Sequence, residues 1–185
     1  MPRAEHMAPR RVGLVLVCGL LLGALAPGLS ACASSSSTPG GTPGVDIARA
    51  PAEPAPWDLS TPETAVRSYL DWVSFSYRMA NSEIPTATMT PGEFVRVDAY
   101  IQLNRTEGKA LEQTLESIET TLVSEDTTSA IVTARETWAY QYFSLETLGY
   151  LTDAARESYE TTYTLVREPL GWLVDRVEAR VIPSD

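Results

Sequence analysis

The chain has 185 residues, 24 acidic against 14 basic, for a net charge of −10. That length suits one ordinary domain with its own core, and that charge repels nucleic acid and anionic lipid headgroups, which excludes both as electrostatic partners. One histidine and two cysteines leave little for imidazole or thiol chemistry.

In chain order, Arg3, Arg10 and Arg11 give a basic start, Val12 to Ala26 an uncharged apolar run, and Pro27-Gly28 a break. This is the three-part order of a secretory leader. A helix over the 15 residues of that run rises only about 22 Å, short of the roughly 30 Å hydrocarbon core of a bilayer. A retained transmembrane anchor therefore fits poorly. The stretch Leu29-Ser30-Ala31-Cys32 that follows resembles the lipobox of bacterial lipoproteins. The resemblance implies removal of residues 1–31, acyl chains such as palmitate on Cys32, and a home on the extracytoplasmic face of a cell membrane.

Such cleavage filters the chemistry. His6 and Cys18 leave with the leader, the Cys32 thiol is committed to lipid, and Lys109 is the only lysine. Serine-histidine and cysteine-histidine catalysis are then excluded, as are imidazole- or thiolate-ligated metal and haem sites. Acidic residues are plentiful, but no calcium-loop motif is present, so no metal and no cofactor is expected. The remaining chain carries 11 basic and 23 acidic residues, a net of −12. Membrane residence would come from the acyl chains, at about 0.8 kcal/mol per buried CH₂. Residues 32–56 are the lipidated cysteine and a Ser/Thr/Pro/Gly/Ala tether without apolar periodicity.

Residues 57–185 read as one domain. Ser60-Thr61-Pro62-Glu63 has the form of a capping box with proline in the first turn. Val66, Tyr69, Leu70, Val73 and Tyr77 follow at helical spacing, with Trp72, Phe75 and Met79 as a second stripe. A helix of about 19 residues clasped on two sides is expected. Thr90-Pro91-Gly92-Glu93 caps a second helix with Phe94, Val97, Ile101 and Leu103 on its apolar face, ending near Gly108. From Glu112 the period changes to two, which predicts strands near 113–124, 129–143, 157–167 and 171–182. The connection from Ser144 to Glu157 is long enough for a short helix or lid. Helices followed by a meander of long strands make an α+β fold, with the first helix held on a strongly curved antiparallel four-stranded sheet.

The ending Tyr159-Glu160-Thr161-Thr162-Tyr163-Thr164-Leu165-Val166, with Gly171-Trp172-Leu173-Val174-Asp175-Arg176-Val177, resembles the last hairpin of nuclear transport factor 2-like (cystatin-like cone) domains. The start, Thr61-Pro62-Glu63-Thr64-Ala65-Val66-Arg67-Ser68-Tyr69-Leu70, is similar to their first helix. The region from Arg96 to Glu112 resembles envelope and cell-division relatives of the fold. This resemblance implies a cone whose concave sheet takes a protein partner or an apolar ligand, and it allows a homodimer through the sheet. The alternative it implies is a small isomerase, dehydratase or hydrolase.

Parity on the second strand puts Val132, Ala134, Glu136, Trp138, Tyr140 and Tyr142 on one face. Glu136 is the single catalytic candidate: a carboxylate stripped of water on an aromatic face has a raised pKa and suits acid-base work. The plainer reading places it in solvent at the cone mouth or against Arg67, Arg167 or Arg176. Tyr69, Trp72, Glu136, Trp138, Tyr140 and Tyr163 are the candidate ligand-binding set. The plainer reading of these aromatics is core between helix and sheet. Arg96, Asp98, Asn104 and Arg105 make a polar helix face, which either binds an anion or is simply solvated. A non-catalytic binding module is the favoured reading.

Overall fold

The computed structural model describes residues 48–183. The leader, Cys32 and the tether up to residue 47 lie outside the described residues. Two helices, α1 (Pro62–Met79) and α2 (Pro91–Thr106), precede four strands, β1 (Lys109–Glu125), β2 (Ser129–Ser144), β3 (Ala155–Glu168) and β4 (Gly171–Ile182). The strands pair antiparallel in chain order, β1-β2-β3-β4. This is the α+β meander expected from the sequence.

The first helix begins one residue later than its sequence motif suggests. Thr61, not Ser60, is the N-cap, and Thr64 supplies the reciprocal hydroxyl in place of a glutamate. Ala65, Val66, Tyr69, Leu70 and Val73 are buried against the sheet. Met79, expected on the second stripe, is half exposed because the helix ends there, with Ala80 in the left-handed region. In α2 the buried stripe is Glu93, Val97, Ile101 and Asn104. Leu103 points outward, 54 % exposed, since its place on the buried face belongs to Asn104, whose amide donates to the Tyr100 carbonyl. Thr90 fixes the start of α2 on the sheet: its N–H donates to the Val174 carbonyl at 2.9 Å and its hydroxyl to Asp175 at 2.8 Å.

Both edge strands change face partway. Register shifts interrupt β1 between Leu115 and Ser117 and between Leu122 and Ser124, and the β3-β4 pairing between Thr164 and Leu165. On β4 the extra residue is Asp175, so Trp172 and Val174 are buried before it while Arg176, Glu178 and Arg180 are exposed after it. A bulge adds one residue and shifts the alternation by one, which lets a strand follow a curved core. The core then runs from Val66, Tyr69 and Val73 through Val132, Tyr163, Leu165, Trp172 and Val174.

The segment after β2 holds a turn and a bridge between Phe143 and Tyr150, with no helix among its described residues. The expected short helix or lid is replaced by a hairpin extension, because Ser144 Oγ accepts from the Glu146 and Thr147 N–H groups and tightens the turn. Residues 48–56, grouped with the tether by composition, lie along the domain. Ala48 packs with Ala110 and Phe143, and the Ala55 carbonyl accepts from Trp72 Nε1 at 3.1 Å. Short, proline-rich chain needs no periodicity to pack when its carbonyls find donors on the domain.

Two turns carry tests. Gly171 has φ +132°, and an added Cβ would lie 2.4 Å from the Leu59 carbonyl oxygen, which accepts from Trp172 N–H. Gly171→Ala is expected to cost at least about 2 kcal/mol from strain and displacement of that contact, read by urea unfolding. In the β1-β2 turn, Asp126 accepts from the N–H groups of Thr128 and Ser129, which holds its carboxyl down at about 2 from an ordinary 3.8. Its stabilising contribution is therefore complete above pH 3.8 and lost as pH falls through about 2. Carboxyl NMR titration should find that midpoint, and Asp126→Asn should remove this acid-limb dependence.

Candidate functional site

Two carboxylates are buried in the same core, each 3 % exposed: Glu93 from α2 and Glu136 from β2. Each is satisfied by a tyrosine. Tyr69 on α1 donates to Glu93 Oε1 at 2.9 Å, and Arg96 donates to the other Glu93 oxygen at 2.6 Å from a half-exposed position. Tyr163 on β3 donates to Glu136 Oε1 in a short hydrogen bond, and Trp138 Nε1 donates to Glu136 Oε2 at 2.8 Å. The rings of Tyr69 and Tyr163 meet edge to face at 6.3 Å, which joins the two pairs across the helix-sheet seam.

Strand parity explains half of this arrangement. Glu136 is two residues from Ala134 and Trp138, so all three side chains turn to the helix-covered face. Tyr163 stands opposite Val132 in the pairing and reaches along that face to Glu136. Helix periodicity explains the other half, because Glu93 shares a stripe with Val97 and Ile101 at four-residue steps. Burial pushes the Tyr69 hydroxyl well above its ordinary range, and the Glu93 charge pushes the same way. Burial and the Glu136 carboxylate do the same to Tyr163. Both therefore stay protonated and donate to their carboxylates. Glu93 is itself raised by burial, against which the Tyr69 and Arg96 hydrogen bonds pull it down.

Of the residues singled out from the sequence, Tyr69, Glu136, Trp138 and Tyr163 come together. Trp72 and Tyr140 do not join them. Trp72 packs edge to face with Trp57 at 5.6 Å and with Phe75 at 6.1 Å on another side of α1. Tyr140 is partly exposed, and its hydroxyl is raised by burial and by Glu157 rather than Glu136. Glu136 is neither in solvent nor paired with an arginine. Arg167 lies over the Trp172 ring, Arg176 pairs with Glu178, and Arg67 is exposed. The polar face of α2 divides similarly: Arg96 holds Glu93, while Asp98 accepts from Ser82 and Gln102. Glu93 is the member that sequence reasoning placed in a cap; its four-residue spacing to Val97 and Ile101 was the available signal.

All four carboxylate oxygens of Glu93 and Glu136 are taken up by protein donors. The crevice between Tyr77, Tyr100 and Asn104 holds no volume for a water molecule. A shallow groove of about 760 Å³ lies over the sheet at Glu119, Arg135, Glu160 and Arg180, away from Glu136. Among the described residues no cluster of acidic, histidine or cysteine side chains is arranged to hold a metal.

No protein-family model matches the chain, and no curated protein sequence matches it. Solved structures do. The chain is similar to the intermembrane space region of the chloroplast protein ARC6, at 20% identity and TM-score 0.52, over 70% of this chain and 100% of that one. It is also similar to a domain with a cystatin-like fold from Nostoc punctiforme (12% identity, TM-score 0.42, 66% of this chain and 78% of that one). A third similar structure is an NTF-2 like protein from Shewanella oneidensis (12% identity, TM-score 0.40, 64% of this chain and 98% of that one). These likenesses concern the fold alone, two helices packed on a four-stranded antiparallel sheet.

Removing either tyrosine hydroxyl strands a buried carboxylate oxygen. Tyr69→Phe and Tyr163→Phe should each lower stability by about 1–3 kcal/mol at pH 7 in urea unfolding. The Tyr69→Phe loss should shrink as pH falls and Glu93 takes a proton, because the missing bond stabilised the ionised form. A loss equal at pH 5 and pH 8 would sink that assignment.

Proposed function

We propose that this chain is a membrane-anchored extracytoplasmic lipoprotein whose domain is a non-catalytic interaction module that engages a protein partner through its surface. The observation that carries the reading is the state of Glu136. Both of its oxygens accept hydrogen bonds from neighbours in the core, and the residue is 3 % exposed. A general base must come within roughly 2.6–3.2 Å of the proton it removes. An isomerase-type site would need open space at that carboxylate, and Tyr163 and Trp138 occupy it. A filled interior directs binding to the outside of the domain. Aromatic anchors such as Trp57, 48 % exposed beside Trp72, suit protein contacts.

The membrane part of the reading rests on the basic start, apolar run and Leu29-Ser30-Ala31-Cys32. Cys32→Ser should move the protein from the membrane to the soluble fraction and abolish acyl incorporation at that position. Membrane retention of that variant with unchanged acylation would defeat the anchor. For the domain, carbodiimide coupling of a small amine to the native protein, followed by peptide mass mapping, should modify exposed carboxylates such as Glu119 and leave Glu136 unmodified. Rapid native modification of Glu136 would reveal an open site and favour the enzyme.

A further inference from the structure

The turn that joins β2 to β3 carries three exposed leucines, Leu145, Leu148 and Leu151. It is held in place by its backbone. The Leu145 N–H donates to the Gly108 carbonyl at 2.9 Å, the Leu148 N–H to Ser144 at 2.9 Å and the Leu151 N–H to Tyr142 at 2.8 Å. Leu148 has φ +59°, in the left-handed region that glycine ordinarily fills. A leucine there is strained and still faces water, so core packing does not account for it. Tyr142, Tyr150 and Lys109 stand just behind the leucines, with the Lys109 ammonium 4.6 Å from the centre of the Tyr142 ring. The other end of the sheet differs. Its β1-β2 turn, Asp126-Thr127-Thr128, is wholly polar, and its β3-β4 turn holds a single leucine, Leu170.

We infer that the leucine turn rests in the headgroup layer of the bilayer that holds the acyl chains, a zwitterionic lipid surface, and so fixes the orientation of the domain. The inference rests on the acylation of Cys32 proposed above. What brings this turn to the bilayer is the point where the chain joins the domain. The Ala48 N–H donates to the Leu148 carbonyl at 2.8 Å, and Ala48 is buried against Ala110 and Phe143. The connection from Cys32 therefore ends beside Leu148 and not at the start of α1. Its 15 residues reach at most about 55 Å when fully extended. The 17 residues of β1 start beside Ala48, so the far end of the strand is about 50 Å away. Turning that end to the bilayer would draw the connection almost straight and cost its conformational entropy. Turning the leucines to the bilayer leaves it slack. The composition of the turn suits such a surface: apolar tips reach the acyl boundary, while tyrosine rings and a lysine sit at headgroup level. Glu146, exposed between Leu145 and Leu148, keeps the contact shallow, because a charge stays at headgroup depth. The net charge of −10 opposes anionic lipid, so apolar contact with zwitterionic lipid carries the interaction. Three leucines alone bind a membrane weakly, but beside acyl chains they act as the second signal that sets orientation.

The test uses the thiol inventory. Processing at Cys32 removes Cys18 and occupies the remaining thiol, so an introduced cysteine is the one that reacts. Thr147→Cys carries a nitrobenzoxadiazole probe in the leucine turn, and Thr127→Cys carries it in the opposite turn. The acylated chain is reconstituted in phosphatidylcholine vesicles with or without spin-labelled phosphatidylcholine, and flotation reports anchoring. The spin label should quench the Thr147 probe at least about twofold and leave the Thr127 probe unchanged. Leu145→Ser, Leu148→Ser and Leu151→Ser together should abolish that quenching while the protein still floats and keeps its circular dichroism. Leu148→Asn, which suits the left-handed backbone, should weaken the quenching without lowering the urea midpoint. Flotation with neither probe quenched overturns the contact and leaves the anchor standing, as do equal quenching of both probes and quenching that survives the serine changes. An unquenched Thr147 probe whose emission rises with protein concentration assigns the leucines to a second copy and likewise overturns the lipid contact. A chain that carries no acyl group and does not float overturns the anchor, and the inference with it.

Discussion

The hydrogen bonds that satisfy Glu136 and Glu93 are the constraint on which the rest of the domain depends. A carboxylate withdrawn from water costs several kcal/mol unless donors replace the lost hydration. Here the donors come from different elements: Tyr69 from α1 serves α2, and Tyr163 from β3 serves β2. Satisfying both acids therefore requires both helices and the central strands to be in place together. The two tyrosine rings then touch, so the polar pairs and the apolar core are parts of one packed layer.

That layer also limits what the helix-covered face can do. Cone-like α+β domains host binding and catalysis alike, so the fold by itself assigns neither. In this chain the helix-covered face is spent on structure. Trp138, a candidate ligand contact by sequence, donates its indole N–H to Glu136. Under the proposed reading, recognition is left to the exposed surface, where Trp57 and Trp72 meet.

Much of this was legible in the amino-acid order because period and parity are local. Alternation along β2 correctly turned Glu136 inward with Trp138, and the caps at Thr61 and Thr90 marked both helices to within a residue. Other features depend on groups distant in the chain. Glu93 had the form of a capping residue, and its inward turn is made tolerable by Tyr69 from another element together with Arg96. Trp72 and Tyr163 are both aromatic and both buried, yet nothing local separates the one that packs with Trp57 from the one that serves Glu136. The bulge at Asp175 was hidden too, since the residue there contacts Thr90, far away in the chain. The role of residues 48–56 rests on carbonyls accepting from the domain, which composition cannot display.

The interruptions in the outer strands have one more consequence. An open four-stranded meander exposes unpaired backbone along β1 and β4, and long regular edges recruit further strands into aggregates. Here β1 is broken twice and carries Glu112, Glu116, Glu119 and Glu125, while β4 is kinked at Asp175 and continues through Arg176, Glu178 and Arg180. Neither edge offers a straight, uncharged template. The domain is thus protected against open-ended, edge-to-edge growth.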